Sequence, residues 1–100
     1  MDISAPALRR RFALGRYLER AEAGEFGCCL KKDRTPPTSH QPLGTRSITV
    51  AYLNRDGQRI FLVHLYLIPG TDGRPPSIGG SGRPDPKWLF EDGTVYLVQD

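Results

Sequence analysis

The sequence predicts an α+β domain in which an N-terminal amphipathic helix packs on a small, mainly antiparallel sheet of three or four strands, with a short helix before the last strand. Three observations predict it. Leu8, Phe12, Leu14, Leu18 and Ala21 fall within one broad half of a 3.6-residue wheel. Two apolar stretches, Ile48 to Leu53 and Arg59 to Ile68, flank Asn54-Arg55-Asp56-Gly57, a turn with Gly57 in its left-handed position. Finally, Gly93 permits a turn into the β-branched and aromatic run Thr94 to Val98. A chain of 100 residues has room for one core, so residues 1–100 are read as a single domain.

The first element is a helix over about 5–23. Ser4 can cap it, Pro6 suits its first turn, and Gly24 offers a left-handed stop. On the same wheel Arg9, Arg16 and Arg20 line up beside the apolar arc as a basic ridge. Cys28 and Cys29 are adjacent, which strains any disulfide between them, so both are expected as free thiols at the start of an edge strand. Residues 31–42 carry three prolines and read as an exposed connection. The strand from Arg59 to Ile68 is apolar on both faces and is therefore expected at the centre of the sheet. Residues 69–86 form a loop dense in glycine and proline. Asp85 then caps a short helix with Pro86 at its first position and Lys87 to Phe90 behind it. The last strand is expected to pair with the hairpin.

Hydrophobic residues make up 38% and charged residues 25%, near the globular range, so the 11 glycines and 9 prolines belong in loops. The formal net charge of +3 is unevenly spread. Residues 1–34 carry eight basic and five acidic side chains, whereas residues 84–100 carry one and four. Such an excess favours approach to acidic or phosphate-rich surfaces without requiring nucleic acid. No apolar run reaches the roughly 18 residues needed to span a bilayer, and Met1-Asp2-Ile3-Ser4 lacks an apolar signal core. The expected location is the cytoplasm, with no membrane partner. No C-x-x-C or H-x-x-x-H spacing is present to join His40 or His64 to the cysteines, so neither a metal site nor a cofactor is expected.

Three constellations could carry function. His64 and Tyr66 share a strand face, and an imidazole beside a phenol could serve acid and base steps on RNA; the same pair could equally be half-buried hydrogen-bonding partners. Gly79-Gly80-Ser81-Gly82-Arg83 could nest a phosphate, with Gly80 and Gly82 giving backbone access and Arg83 and Lys87 adding charge. It is not a P-loop, because Arg83-Pro84-Asp85 stands where a Walker lysine is needed and the Asp85 carboxylate repels an anion. Arg9, Arg10, Arg11, Arg16 and Arg20 could grip phosphates or an acidic protein groove through bidentate guanidinium contacts, or form an ordinary solvated face with Glu19 and Glu22 nearby.

At His64-x-Tyr66, Gly79 to Lys87 and Asp92-Gly93-Thr94-Val95-Tyr96, the C-terminal half resembles short uncharacterised proteins of bacterial genomes and their mobile elements. That resemblance implies a bacterial or phage setting and carries over no catalytic residue. The function expected is a small, basic, non-enzymatic binding module whose partner is a protein or a protein–nucleic-acid complex, as an inhibitor or accessory factor would have. The rivals are a toxin-like ribonuclease using His64 and Tyr66, and a general nucleic-acid binder.

Overall fold

Ser4 opens the first helix as expected, its hydroxyl accepting a hydrogen bond from the Ala7 N–H. The expected single helix nevertheless stops after ten residues. In this computed structural model, which describes residues 1–35, 44–70, 73, 75–78 and 83–98, α1 spans Ala5–Leu14 and α2 spans Tyr17–Glu22. Burial of Tyr17 accounts for the break. On an unbroken helix Tyr17 would lie about 140° round from Phe12 and face away from the core. Instead Arg16 adopts a left-handed conformation at φ 55°, and the Tyr17 ring swings back over Gly15, into the space a Cβ there would occupy. The ring ends 5% exposed, stacked 5.7 Å from Phe12.

Seven strands follow or flank the helices among the described residues: β1 Asp2–Ile3, β2 Gly27–Arg34, β3 Arg46–Leu53, β4 Arg59–Ile68, β5 Ser77–Ile78, β6 Asp85–Glu91 and β7 Thr94–Val98. They form one mixed sheet in the order β1-β7-β6-β4-β3-β2, with β5 paired to the far end of β4. Only the β1–β7 pair is parallel among them. The α+β expectation of three or four strands under one long helix is therefore corrected. This is a mostly-sheet domain carrying two short helices.

The second helix is corrected as well. Residues Asp85 to Phe90 lie in β6, because extended backbone sends Leu89 into the core and turns Trp88 to the opposite face, which one helical turn could not do. Pro86, which has no N–H to give a ladder, sits beside a register shift opposite Leu62 and Val63. The last strand pairs with β6 and β1 rather than with the hairpin. Residues 31–34 of the expected connection continue the edge strand β2, and 36–43 lie outside the described residues. The β3–β4 hairpin agrees with the sequence: Gly57 has φ 80°, and the Asn54 side-chain oxygen accepts from the N–H groups of Asp56 and Gln58. β4 is interior, as its two apolar faces require.

Both helices lie on one face. Leu8, Phe12 and Tyr17 meet Phe61, Val63 and Leu89 there, and Phe61 is fully buried at the centre. Tyr52 stacks on Phe61 at 4.5 Å, while Phe12, Tyr17 and Phe26 present edge contacts at 5.1 to 5.7 Å. Ion pairs tie α1 to β6: Arg9 to Asp85 at 2.8 Å and Arg11 to Glu91 at 2.8 Å.

Candidate functional site

The register of β4 creates a gap. Strand β6 follows β4 only as far as His64 opposite Asp85, and β5 takes over at Leu67 opposite Ile78. Between these points Leu65 and Tyr66 have no described strand on the side of β4 away from β3, and a cleft of about 620 Å³ opens under α1 and the start of α2. Phe12, Leu18 and Leu65 make its apolar part. Arg9, His64, Tyr66, Arg83 and Asp85 also line it.

His64 is held by two neighbours. Its Nε2 shares a hydrogen bond with the Ser47 hydroxyl at 2.7 Å, and its ring meets Tyr66 edge-on at 4.9 Å. Burial lowers the His64 pKa below its ordinary value, the positive charges of Lys87 and Arg34 lower it further, and Asp85 opposes them. The imidazole is thus neutral at neutral pH. Asp85 goes the other way from its usual value: the Arg9 hydrogen bond, aided by Lys87 at 3.0 Å, holds its carboxyl low against the opposing effect of burial. It is a clamped anion rather than a helix cap.

The sequence-derived residues divide. Arg9, His64, Tyr66 and Arg83 come together at the cleft, with Lys87 on its border through Asp85. Arg83 is exposed and forms no ion pair among the described residues. Arg16 and Arg20 do not join Arg9 in one ridge, because the chain changes direction at Gly15 and Arg16. Arg16 is exposed, whereas Arg20 pairs with Glu25 and lies over the rings of Tyr17 and Phe26 at 4.8 and 5.2 Å. Gly80 and Gly82 lie outside the described residues.

Ser47 was missed in the sequence. It is 8% exposed and stands opposite Tyr66 on β3, so cross-strand pairing was the signal that could have found it. The Tyr17 hydroxyl, which donates to Glu91 at 2.6 Å, was missed too. Cys28 and Cys29 are free thiols on β2, the first exposed and the second half-buried. Among the described residues no three His, Cys, Asp or Glu side chains are grouped so as to hold a metal ion, and no helix is long and apolar enough to cross a membrane.

No family model, no curated protein and no solved structure matches the chain. The reading of the cleft therefore rests on its own chemistry.

Proposed function

We propose that the protein is a non-enzymatic binding module that receives an acidic segment of a protein partner in the cleft between α1 and β4. The observation that carries this reading is an uncommitted cation, Arg83, at the rim of an apolar recess formed by Phe12, Leu18 and Leu65. A partner side chain of apolar character fills the recess and excludes water. A carboxylate beside it meets the Arg83 guanidinium, a pairing whose fixed fork geometry adds direction to charge. Arg9 and Lys87 keep Asp85 neutralised, so that the approaching anion is not repelled.

Peptide display against the immobilised protein tests this. Selected peptides should carry Asp or Glu within a few residues of a large apolar side chain. Their affinity should fall about 10- to 100-fold in Arg83→Glu, the range for a charge-assisted contact, and hold in Arg16→Glu. Equal binding by Arg83→Glu would remove the cleft from the account.

The ribonuclease reading keeps one supporting observation, the neutral imidazole of His64 at the same cleft. Against it, Nε2 is already engaged by Ser47 and Asp85 by two cations. Cleavage of RNA in the presence of a chelator, lost in His64→Ala with the fold retained, would replace the binding reading.

A further inference from the structure

Both helices cover one face of the sheet, and among the described residues no helix or strand covers the other. Directly paired residues on neighbouring strands share a face, so the register fixes what the open face carries. One row runs from edge to edge as Asp2, Leu97, Trp88, Leu62, Ala51 and Cys29. The next row holds Val95 and Phe90 on β7 and β6, and Arg59 and Leu53 on β4 and β3. Leu97 and Val95 are 47% and 37% exposed. A sheet face left to water alternates with polar residues, whereas β6 and β7 are apolar on both faces.

We infer that this face is closed by a second copy of the chain, sheet on sheet, about a two-fold axis that runs along the strands between β6 and β4. Such an axis reverses each row upon itself. Leu97, which protrudes, then comes over Ala51 of the second copy, where the smallest side chain of the row leaves a hollow, and contacts the neighbours that cover it, while Trp88 meets Leu62. In the next row Val95 meets Leu53. Phe90 meets Arg59, a guanidinium that already lies 5.3 Å over the Trp88 ring within its own chain. The β1 edge with Asp2 comes over the β2 edge, whose next side chain on this face is Lys32, opposite Thr49. An axis across the strands would instead set Leu97 on Leu97 and Asp2 on Asp2, bulk against bulk and like charge against like.

The size is sufficient. Six strands about 4.8 Å apart span roughly 24 Å, and three rows of side chains about 7 Å deep each, the third holding Lys32, Thr49 and His64, span roughly 20 Å. Two such patches remove on the order of 1,000 Å² together, the lower bound for a specific interface. The dimer is therefore one that dissociates on dilution. This inference does not rest on the binding reading of the cleft: the recess of Phe12, Leu18 and Leu65 lies on the helix side, although His64, opposite Thr49, lies on the open face.

Sedimentation equilibrium, with dilution followed by fluorescence of Trp88, the single tryptophan of the chain, tests it. The parent should associate as a dimer, and its emission should move to the red on dilution. Leu97→Glu should weaken association by at least about 30-fold, the scale of a central interface residue, with circular dichroism unchanged and urea stability close to that of the parent at concentrations where the parent is monomeric, because Leu97 is 47% exposed in the single chain. Asp2→Lys and Lys32→Glu should each weaken the dimer, and the double variant should regain part of the loss. A parent that remains monomeric at its highest soluble concentration overturns the proposal, as does association unchanged by Leu97→Glu. A dimer that the double exchange fails to restore has another axis and overturns the arrangement.

Discussion

Replacing Tyr17 with Phe tests whether the break between α1 and α2 exists to seat one hydrogen bond as well as one ring. The Tyr17 hydroxyl donates to Glu91 at 2.6 Å, and Arg11 reaches the other carboxylate oxygen at 2.8 Å. A hydrogen bond to a charged group contributes about 1.5 to 3 kcal/mol. Because Arg11 stays in place and the Glu91 side chain is 18% exposed, so that water can replace the hydroxyl in part, the expected loss lies near the lower end, about 1.5 kcal/mol. A second signature separates this bond from mere packing. Burial, and then the hydrogen bond to Glu91, push the Tyr17 pKa from 10.0 up to about 12. Below pH 10 both folded and unfolded chains hold the proton. Between pH 10 and 12 the unfolded chain gives it up first, so stability is lost as pH rises, by up to about 3 kcal/mol. The Phe variant has no such proton, so the stability gap between it and the parent should narrow steadily above pH 10. Urea unfolding of both proteins from pH 7 to 11 measures this. A variant as stable as the parent at pH 7, or a gap that stays constant in alkali, would refute the reasoning.

Arg16→Gly should raise stability by about 0.5 to 1 kcal/mol, since residue 16 is held at φ 55° and only glycine adopts that conformation freely; a loss in urea unfolding would mean that the Arg16 side chain has a role of its own. Gly57→Val should cost about 1 to 2 kcal/mol from backbone strain alone, because φ is 80° and a Cβ there would touch nothing within 4 Å; unchanged thermal unfolding would contradict the turn. The His64 ring protons should titrate below 6.5 in the folded protein, owing to burial and then to Lys87. Because that folded value is depressed, its contribution to stability is present above pH 6.5 and is lost as the unfolded chain takes up the proton at lower pH. Proton NMR reads the midpoint, and a value above 6.5 would show that Asp85 outweighs burial and the cations.

What could be read in the sequence was what local chemistry decides. The hairpin was legible because Asn54 and Gly57 each supply something a turn needs, a short acceptor and a positive φ. The interior position of β4 followed from its apolar patterning, and the edge strand expected for the cysteines is β2. β6 was illegible for the opposite reason. Asp85-Pro86 has the form of a helix start, and Trp88-Leu89-Phe90 is too short and too uniformly apolar to declare a period of two or of 3.6. The decision came from ladder bonds to β4 and β7 and from Arg9 and Arg11, which hold Asp85 and Glu91 across 76 and 80 residues. No spacing rule reaches that far.

The site shows the same division at finer scale. That His64 and Tyr66 share a face was legible from their spacing of two, but Ser47 was not assigned to them, and the hairpin shows why simple counting fails. Counting back from Leu53 opposite Arg59 in an unbroken ladder would place His64 opposite Ile48, leaving Ser47 on the other face. A bulge between Tyr52 and Leu53 shifts every later pair by one residue, so that Thr49 comes opposite His64 and Ser47 opposite Tyr66. That shift brings the Ser47 hydroxyl within 2.7 Å of Nε2. The bulge residue Ile60 is half-buried against the core on the helix side. Packing beneath α2 thus sets the register that assembles a polar cluster some four residues further along the strand, and the cleft inherits its chemistry from a core contact rather than from any motif.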